Sequence, residues 1–343
     1  MQSVAGDDDA RAVVWTLFML HLYEVFNRRE DQIYHVLAGT RHNLIAGLSS
    51  TRFLTHDAVK NARRACRRSP EEQRAVEELR RKTEQLPVNL EMIADLREHL
   101  WVQTSWDFEG IKSKATWLVC CLSFDRGHRA SNLTLPGNKH ALDHNLRCAS
   151  TIFNVSSPKG IVKLPAGPEL LGVLNSSIVS VRISTVTSKM TGSGRSHKIV
   201  DALITRDCEA SSQFVDDLAE FVRHSQVSGD DPLFSFYRVS DKTKRRAKKV
   251  LTRGEVTIEL KKCAGRLNLP SKRFATRSLR KGMSTQMSLG NISREERNRA
   301  GGWAPGSTIP DTHYDRSAQL RGALGAASLP GASTITNDQL RSL

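Results

Sequence analysis

Hydrophobic residues recur at helical spacing along most of this 343-residue chain, and the spacing changes to that of strands only around residues 149–204. There, two β-branched segments, SIVSVRIST and HKIVDALIT, flank the glycine-containing stretch VTSKMTGSGRS, a pattern typical of a β-hairpin. We therefore predict a mainly α-helical protein with a small antiparallel β-sheet. The expected helices of the second half lie at about 88–99, 112–123, 211–224, 252–267, 274–289 and 293–300.

The same pattern indicates where one domain ends and the next begins. Residues from about 10 to 82 show helical spacing alone, and their first segment, VVWTLFMLHLYEVF, is too short to span a membrane, so we expect a buried helix. A highly charged stretch, SPEEQRAVEELRRKTEQ, precedes Leu86-Pro87, where a helix is expected to end. We place a domain boundary at about residue 85. The last residues are rich in Ala, Gly, Ser and Leu, which fits either a loose tail or a docking segment.

The charge balance favours a polyanionic partner. Lys and Arg number 51 against 36 Asp and Glu, a formal net charge of +15. Proteins that bind nucleic acid use such an excess to neutralise phosphates. One predicted helix carries several of the basic residues. Its basic face is either simply solvated or forms a surface that follows the DNA backbone. Its basic residues are Lys60, Arg63, Arg64, Arg67 and Arg68.

The compartment is indicated by the N-terminus and the cysteines. The sequence begins MQSVAGDDDA, without the basic and then apolar layout of a signal peptide. The six cysteines show no paired framework and no C-x-x-C motif. We expect an intracellular protein, in the nucleus if the host is eukaryotic and otherwise in the cytoplasm or nucleoid, with no membrane partner.

Five residues of types that can bind or attack a phosphate occur in a characteristic order along the chain. Arg129 lies in FDRGHRASNLTLPG, Lys189 in the predicted hairpin, and Arg280 in FATRSLRKGMSTQMSLG; Trp303 and Tyr314 share AGGWAPGSTIPDTHYDRS. Each alone has an ordinary structural explanation, such as a packed tryptophan or a solvated turn lysine. Their order and spacing resemble the tyrosine recombinase (integrase) family. The AGGW motif resembles its Cre-type version, in which a tryptophan stands where histidine is commoner.

The resemblance implies a two-domain DNA strand-exchange enzyme. Residues 1–85 would form a helical, SAM-like core-binding domain, and residues 86–316 an α+β catalytic domain. Residues 317–343 would form a tail that docks on a neighbouring protomer. Four protomers would assemble on two double-stranded DNA sites, each protomer gripping DNA as a C-shaped clamp. The entry segment LPVNLEMIADLREHL is similar to the Crypton-like and DIRS-like mobile-element branches of the family.

Each matched residue then has an implied role. Tyr314 would attack a DNA phosphodiester and form a 3′-phosphotyrosyl intermediate that keeps the bond energy for rejoining. Arg129 and Arg280 would stabilise the charge on the non-bridging oxygens. Lys189 would protonate the leaving 5′ oxygen, and the Trp303 indole would donate to a phosphate oxygen. No metal, ATP or other cofactor is required.

The sequence departs from the family pattern at the second arginine motif. Arg277 occupies the position usual for histidine, and an arginine cannot act as a general base. It would still bind phosphate or lower the pKa of the tyrosine. His313, beside Tyr314, is an alternative base.

Three further points of the pattern differ. Ser131 and Asn132 lie where an acidic residue is common. Trp303 and Tyr314 are eleven residues apart, slightly more than expected. Arg195 and Lys198 compete with Lys189 as the hairpin cation.

Two other functions share these features. A catalytically inactive DNA-binding protein derived from a recombinase would explain Arg277 in the histidine position. A type IB topoisomerase-like enzyme would use the same chemistry without pairing specific sites. The sequence leaves the target DNA and the direction of the reaction open.

Overall fold

The computed structural model describes residues 14, 16–18, 84–135, 146–191, 194–239, 246–317 and 334–342. The chain forms two compact units, Met1–Glu84 and Gln85–Leu343. Of the first unit, the described residues 14 and 16–18 are helical. The five basic residues proposed to follow the DNA backbone, Lys60 to Arg68, lie outside the described residues.

The expectation of a buried helix in VVWTLFMLHLYEVF is wrong at the residues described. Val14 is 65% exposed, Leu17 61% and Phe18 37%. Val14, Leu17 and Phe18 lie at positions i, i+3 and i+4, so the exposed side chains share one face of the helix. No helix in the described part of the chain is long and apolar enough to cross a membrane.

Helices dominate the second unit, and a small antiparallel sheet accompanies them, as predicted. The described helices are α1 Leu90–Arg97, α2 Phe108–Asp125, α3 Ala130–Leu133, α4 Glu209–Ser225, α5 Arg253–Arg266, α6 Thr276–Leu289, α7 Arg294–Ala300 and α8 Asn337–Ser342. Six of them begin and end within a few residues of the predicted positions, and no bounds were predicted for the short helices α3 and α8. π-helical turns span Glu98–Val102 and Pro310–Tyr314, and 3₁₀ turns span Cys148–Ser150, Pro168–Leu170, Asn175–Ser177 and Ser271–Arg273.

Side-chain caps explain where several helices begin. The Asn89 side chain accepts from the Met92 backbone N–H, and Asp107 accepts from Gly110. Thr252 and Ser293 each form a capping box with the glutamate three residues later. These bonds satisfy N–H groups that have no partner inside the helix.

The sheet contains four antiparallel strands in the order β2-β1-β3-β4. The strands are β1 Thr151–Ser157, β2 Gly160–Pro165, β3 Ile178–Thr191 and β4 Gly194–Thr205, and β5 Ser235–Val239 pairs with β6 Arg246–Val250 in a second sheet. The predicted hairpin is β3–β4. Its pairing continues to Thr191 and Gly194, so most of the stretch expected to be a turn is strand. The β-branched Val186, Thr187 and Thr191 explain this, because such residues favour strands.

Helix α2 forms the centre of the core. Leu118 and Leu122 on α2 are fully buried, as are Phe221 of α4 and Leu279 of α6. Because α2 and α6 pack against each other, the C-terminal end of α2 and the residues after it are held beside α6. That juxtaposition builds the candidate site.

The described end of the chain packs on its own unit. Leu340 of α8 is fully buried and Ile335 is 2% exposed. Asn89 donates to the Asn337 side chain at 2.8 Å, and Arg341 donates to the Leu267 carbonyl at 2.9 Å. Residues 335–341 are therefore not a loose tail. Docking on a neighbouring protomer stays a prediction.

Candidate active site

A pocket of about 260 Å³ lies where the turn between α2 and α3, the first turns of α5 and α6, and the Tyr314 segment meet. The described residues lining it are Gln85, His128, Arg129, Ala130, Ser131, Arg253, Ala275, Thr276, Arg277, Arg280 and Tyr314. Four of the predicted site residues thus come together from three separate segments: Arg129, Arg277, Arg280 and Tyr314.

The charged side chains in the described wall of the pocket are all basic. Four arginines line it, and no Asp or Glu is among the described lining residues. Arg129, Arg253 and Arg277 are exposed, whereas Arg280 is only 5% exposed. Arg277 and Arg280 lie three residues apart on α6 and so share a helix face. The arrangement suits an anion with several oxygens.

Arg280 is buried without a counter-ion. It forms no ion pair among the described residues; one guanidinium nitrogen donates to the Gly301 carbonyl, and Nε has no partner there. Its guanidinium carbon lies 4.1 Å from the centroid of the Trp303 ring and 5.4 Å from that of Tyr314. Burial, with the charge of Arg129, lowers the pKa of Arg280 to about 10, so it stays protonated at neutral pH.

Trp303 supports this arrangement from behind. The Trp303 ring is 7% exposed and lies 5.3 Å from the Tyr314 ring, centroid to centroid. A Cβ on Gly301 would fall 1.8 Å from the Trp303 ring, which explains the glycine in AGGW. Trp303 is absent from the described lining of the pocket, so its observed contacts are with Arg280 and Tyr314.

Tyr314 is held at the end of the π-helical turn by both neighbouring helices. The Thr285 hydroxyl of α6 donates to the Tyr314 carbonyl at 3.3 Å. From α7, Arg297 contacts Asp311 at 2.8 Å and Asp315 at 3.0 Å, on either side of the tyrosine. These bonds fix the backbone while the ring, half-buried, lines the pocket.

The segment before α3 brings a histidine that sequence reasoning missed. Gly127 has φ +59°, and a Cβ there would fall 2.9 Å from the Gly301 Cα, so this turn packs tightly against AGGW. His128 follows; it is 5% exposed, its Nδ1 lies 3.5 Å from the Thr185 hydroxyl, and its Nε2 has no partner among the described residues. Burial, with Arg280 and Arg126, lowers the pKa of His128 to about 4. In the sequence, only the position of His128 next to Arg129 indicated that it could belong to the site.

The other predicted residues lie elsewhere. His313 is exposed and is not among the described residues of the pocket wall. The backbone of Lys189 lies in β3 opposite Ser196, not in the turn where we expected it, because β3 and β4 are longer than predicted. Arg195 and Lys198 lie in β4. The roles predicted for these three hairpin side chains fall outside what the structure describes.

Comparison with known proteins adds no assignment: no protein-family model matches the chain, and no curated protein matches it. Within the described residues, no group of three or more His, Cys, Asp or Glu side chains is placed to hold a metal ion.

Proposed function

We propose that the protein is a DNA strand-breaking and rejoining enzyme of the tyrosine recombinase (integrase) type. One observation carries the proposal: Arg280 is buried without a carboxylate partner, beside Tyr314, in a pocket whose described wall holds three more arginines and no acid. An unpaired buried cation is costly, so its retention favours a site completed by an anionic ligand. A phosphodiester supplies that charge, and its paired oxygens match the guanidinium geometry.

The proposed cleavage step uses these residues. The Tyr314 oxygen attacks the phosphorus, an oxygen–phosphorus bond forms, and the bond to the 5′ oxygen breaks. Arg129 and Arg280, together with Arg277, stabilise the negative charge that builds up on the non-bridging oxygens. The 3′-phosphotyrosyl link keeps the bond energy, so the reverse attack by a 5′ hydroxyl rejoins the strand without ATP or metal. Lys189 is proposed as the acid that protonates the 5′ oxygen.

The net charge of +15 supports duplex DNA as the substrate. In the proposed assembly four protomers hold two DNA sites. The basic residues between Lys60 and Arg68 contribute affinity, and the second unit contributes the chemistry.

Covalent trapping tests the proposal. The protein is incubated with nicked duplexes that carry inverted repeats flanking its gene, or randomised flanks, and an SDS-resistant adduct is sought. We expect an adduct with wild-type protein and none with Tyr314→Phe. Tyr237→Phe is the matched control, because Tyr237 lies in β5, away from the pocket, and should keep the adduct. An adduct that persists in Tyr314→Phe would contradict the nucleophile assignment.

A second candidate is a recombinase-derived protein that binds DNA without cutting it. Arg277, in the position where the family usually has histidine, favours it. This function predicts no adduct from the wild-type protein, with DNA binding that weakens steeply as salt rises. A topoisomerase-like enzyme would instead form the adduct and relax supercoiled plasmid without a preferred site.

A further inference from the structure

Strand cleavage by Tyr314 requires a group that accepts the phenolic proton, and the described pocket wall contains one histidine, His128. It comes from the turn before α3, not from α6, where the corresponding histidine of the resembled family would be. We propose that His128 is the general base that takes the proton of Tyr314, an inference that rests on the proposed strand cleavage.

The geometry of His128 suits a base. The ring is 5% exposed, and its two nitrogens have different surroundings. Nδ1 contacts the Thr185 hydroxyl of β3 at 3.5 Å, and Nε2 is buried without a partner among the described residues. Nε2 therefore leaves a position next to the ring that a proton donor can occupy. A base with one nitrogen oriented and the other free has this arrangement.

Burial and the surrounding cations keep His128 unprotonated in the free protein. Arg280 of α6 and Arg126 of the preceding turn both disfavour the imidazolium, and Arg129, Arg253 and Arg277 also line the pocket. With its pKa near 4, His128 is neutral in the free protein at neutral pH. A bound phosphodiester offsets the arginine charges and raises the affinity of the ring for a proton. DNA binding therefore activates the base.

The alternative bases are less suitable. Arg277 carries a guanidinium, which offers hydrogen-bond donors and no acceptor for a proton. His313 is adjacent to Tyr314 in sequence, but it is exposed and not among the described residues of the pocket. Lys281 is buried on α6 and donates to the Gln85 carbonyl at 2.9 Å. His128 is thus the described lining residue that best combines neutrality, burial and a free acceptor.

In the proposed step, the Tyr314 oxygen bonds to phosphorus while its proton passes to His128 Nε2, directly or through one water. The bond to the 5′ oxygen breaks, and Lys189, the proposed acid, protonates that oxygen. During rejoining, the imidazolium returns the proton to the departing phenolate. His128 ends each cycle neutral.

The test uses a nicked duplex in which sulfur replaces the leaving 5′ oxygen, because a thiolate leaves without a proton and no general acid is needed. We expect His128→Gln to form the adduct about 10²–10³-fold more slowly than wild type on this substrate. The wild-type rate should be flat around neutral pH. The rate of His128→Gln should rise about tenfold per pH unit, because the phenolic proton must then be lost to solvent before the attack.

Controls separate this role from folding. Thermal unfolding and salt-dependent DNA binding are measured on each variant, and imidazole added to folded His128→Ala should restore part of the rate. His313→Gln, the rival base, should react like wild type. An unchanged rate in His128→Gln, a loss in His313→Gln instead, or rescue of His128→Gln by the sulfur substrate would each overturn the assignment. A wild-type protein that forms no adduct would overturn the proposed function itself.

Discussion

Arg280 and Arg297 lie on consecutive helices and are buried to nearly the same extent, with 5% and 8% of each residue exposed. Their surroundings are opposite. Arg297 contacts the carboxylates of Asp311 and Asp315, whereas Arg280 contacts a backbone carbonyl and two aromatic rings and forms no ion pair among the described residues. The chain pairs one buried cation with carboxylates and leaves the other without a counter-ion among the described residues.

The difference in pairing predicts different roles for the two arginines, one in stability and one in function. A buried charge is tolerated when it is paired, and removing one partner leaves the other uncompensated. Arg297 therefore holds the Tyr314 turn in place, and its contribution should appear as stability. Arg280 carries a desolvation cost with no counter-ion to offset it, so its contribution should appear when phosphate binds. The same substitution at both positions tests this contrast.

The largest effect is expected for Arg297→Met. Removing the guanidinium leaves the Asp315 carboxylate, whose side chain is 12% exposed, without its cation. Breaking a buried pair costs about 3–5 kcal/mol of unfolding free energy, which urea denaturation of the purified protein measures. Arg182→Met is the control, because Arg182 pairs with Asp201 on the exposed face of the sheet, and such pairs contribute about 0–1 kcal/mol. Equal losses in the two variants would remove the structural role assigned to Arg297.

Arg280→Met should show the reverse pattern. The unfolding free energy should stay within about 1 kcal/mol of wild type, since replacing a costly buried charge with an apolar chain of similar length is often neutral. Adduct formation should slow by about 10²–10³-fold, the usual cost of losing one donor to a developing oxyanion. The decisive measurement is single-turnover trapping on nicked DNA alongside urea denaturation. A loss of unfolding free energy as large as that of Arg297→Met would show that both arginines contribute mainly to stability.

The sequence predicts those parts of the fold that depend on local periodicity. Helices α5 and α7 begin within one residue of the predicted positions, and the structure adds that Thr252 and Ser293, each with a glutamate three residues on, cap them. The β1–β2 pair was missed because Ile152, apolar and half-exposed, breaks the alternation of the buried Phe153 and Val155. The β5–β6 pair was missed because β6 reads RAKKV, a charged segment with little strand character.

For the candidate site, the sequence supplied the residue types and their order, and the structure supplied their environments. Arg129, Arg280 and Tyr314 were singled out beforehand, and they line one pocket. That Arg280 lacks a counter-ion, and that His128 is buried beside it, depends on contacts between segments some 150 residues apart. The sequence around each residue does not determine these long-range contacts, so the burial of His128 and the missing counter-ion of Arg280 could be seen only in the folded structure.

The smallest predicted effect isolates the anion affinity of Arg280 from catalysis. Inorganic phosphate at about ten times its dissociation constant should stabilise the wild-type protein by about 1.4 kcal/mol, because a ligand that binds only the folded state adds RT ln(1 + [L]/Kd). The thermal midpoint, compared with chloride at equal ionic strength, should rise by a few degrees in wild type and Arg297→Met and stay unchanged in Arg280→Met. A shift that survives in Arg280→Met would place the anion elsewhere on a surface with net charge +15. In that case Arg280 would be a buried charge with no ligand, and the contrast with Arg297 would lose its functional meaning.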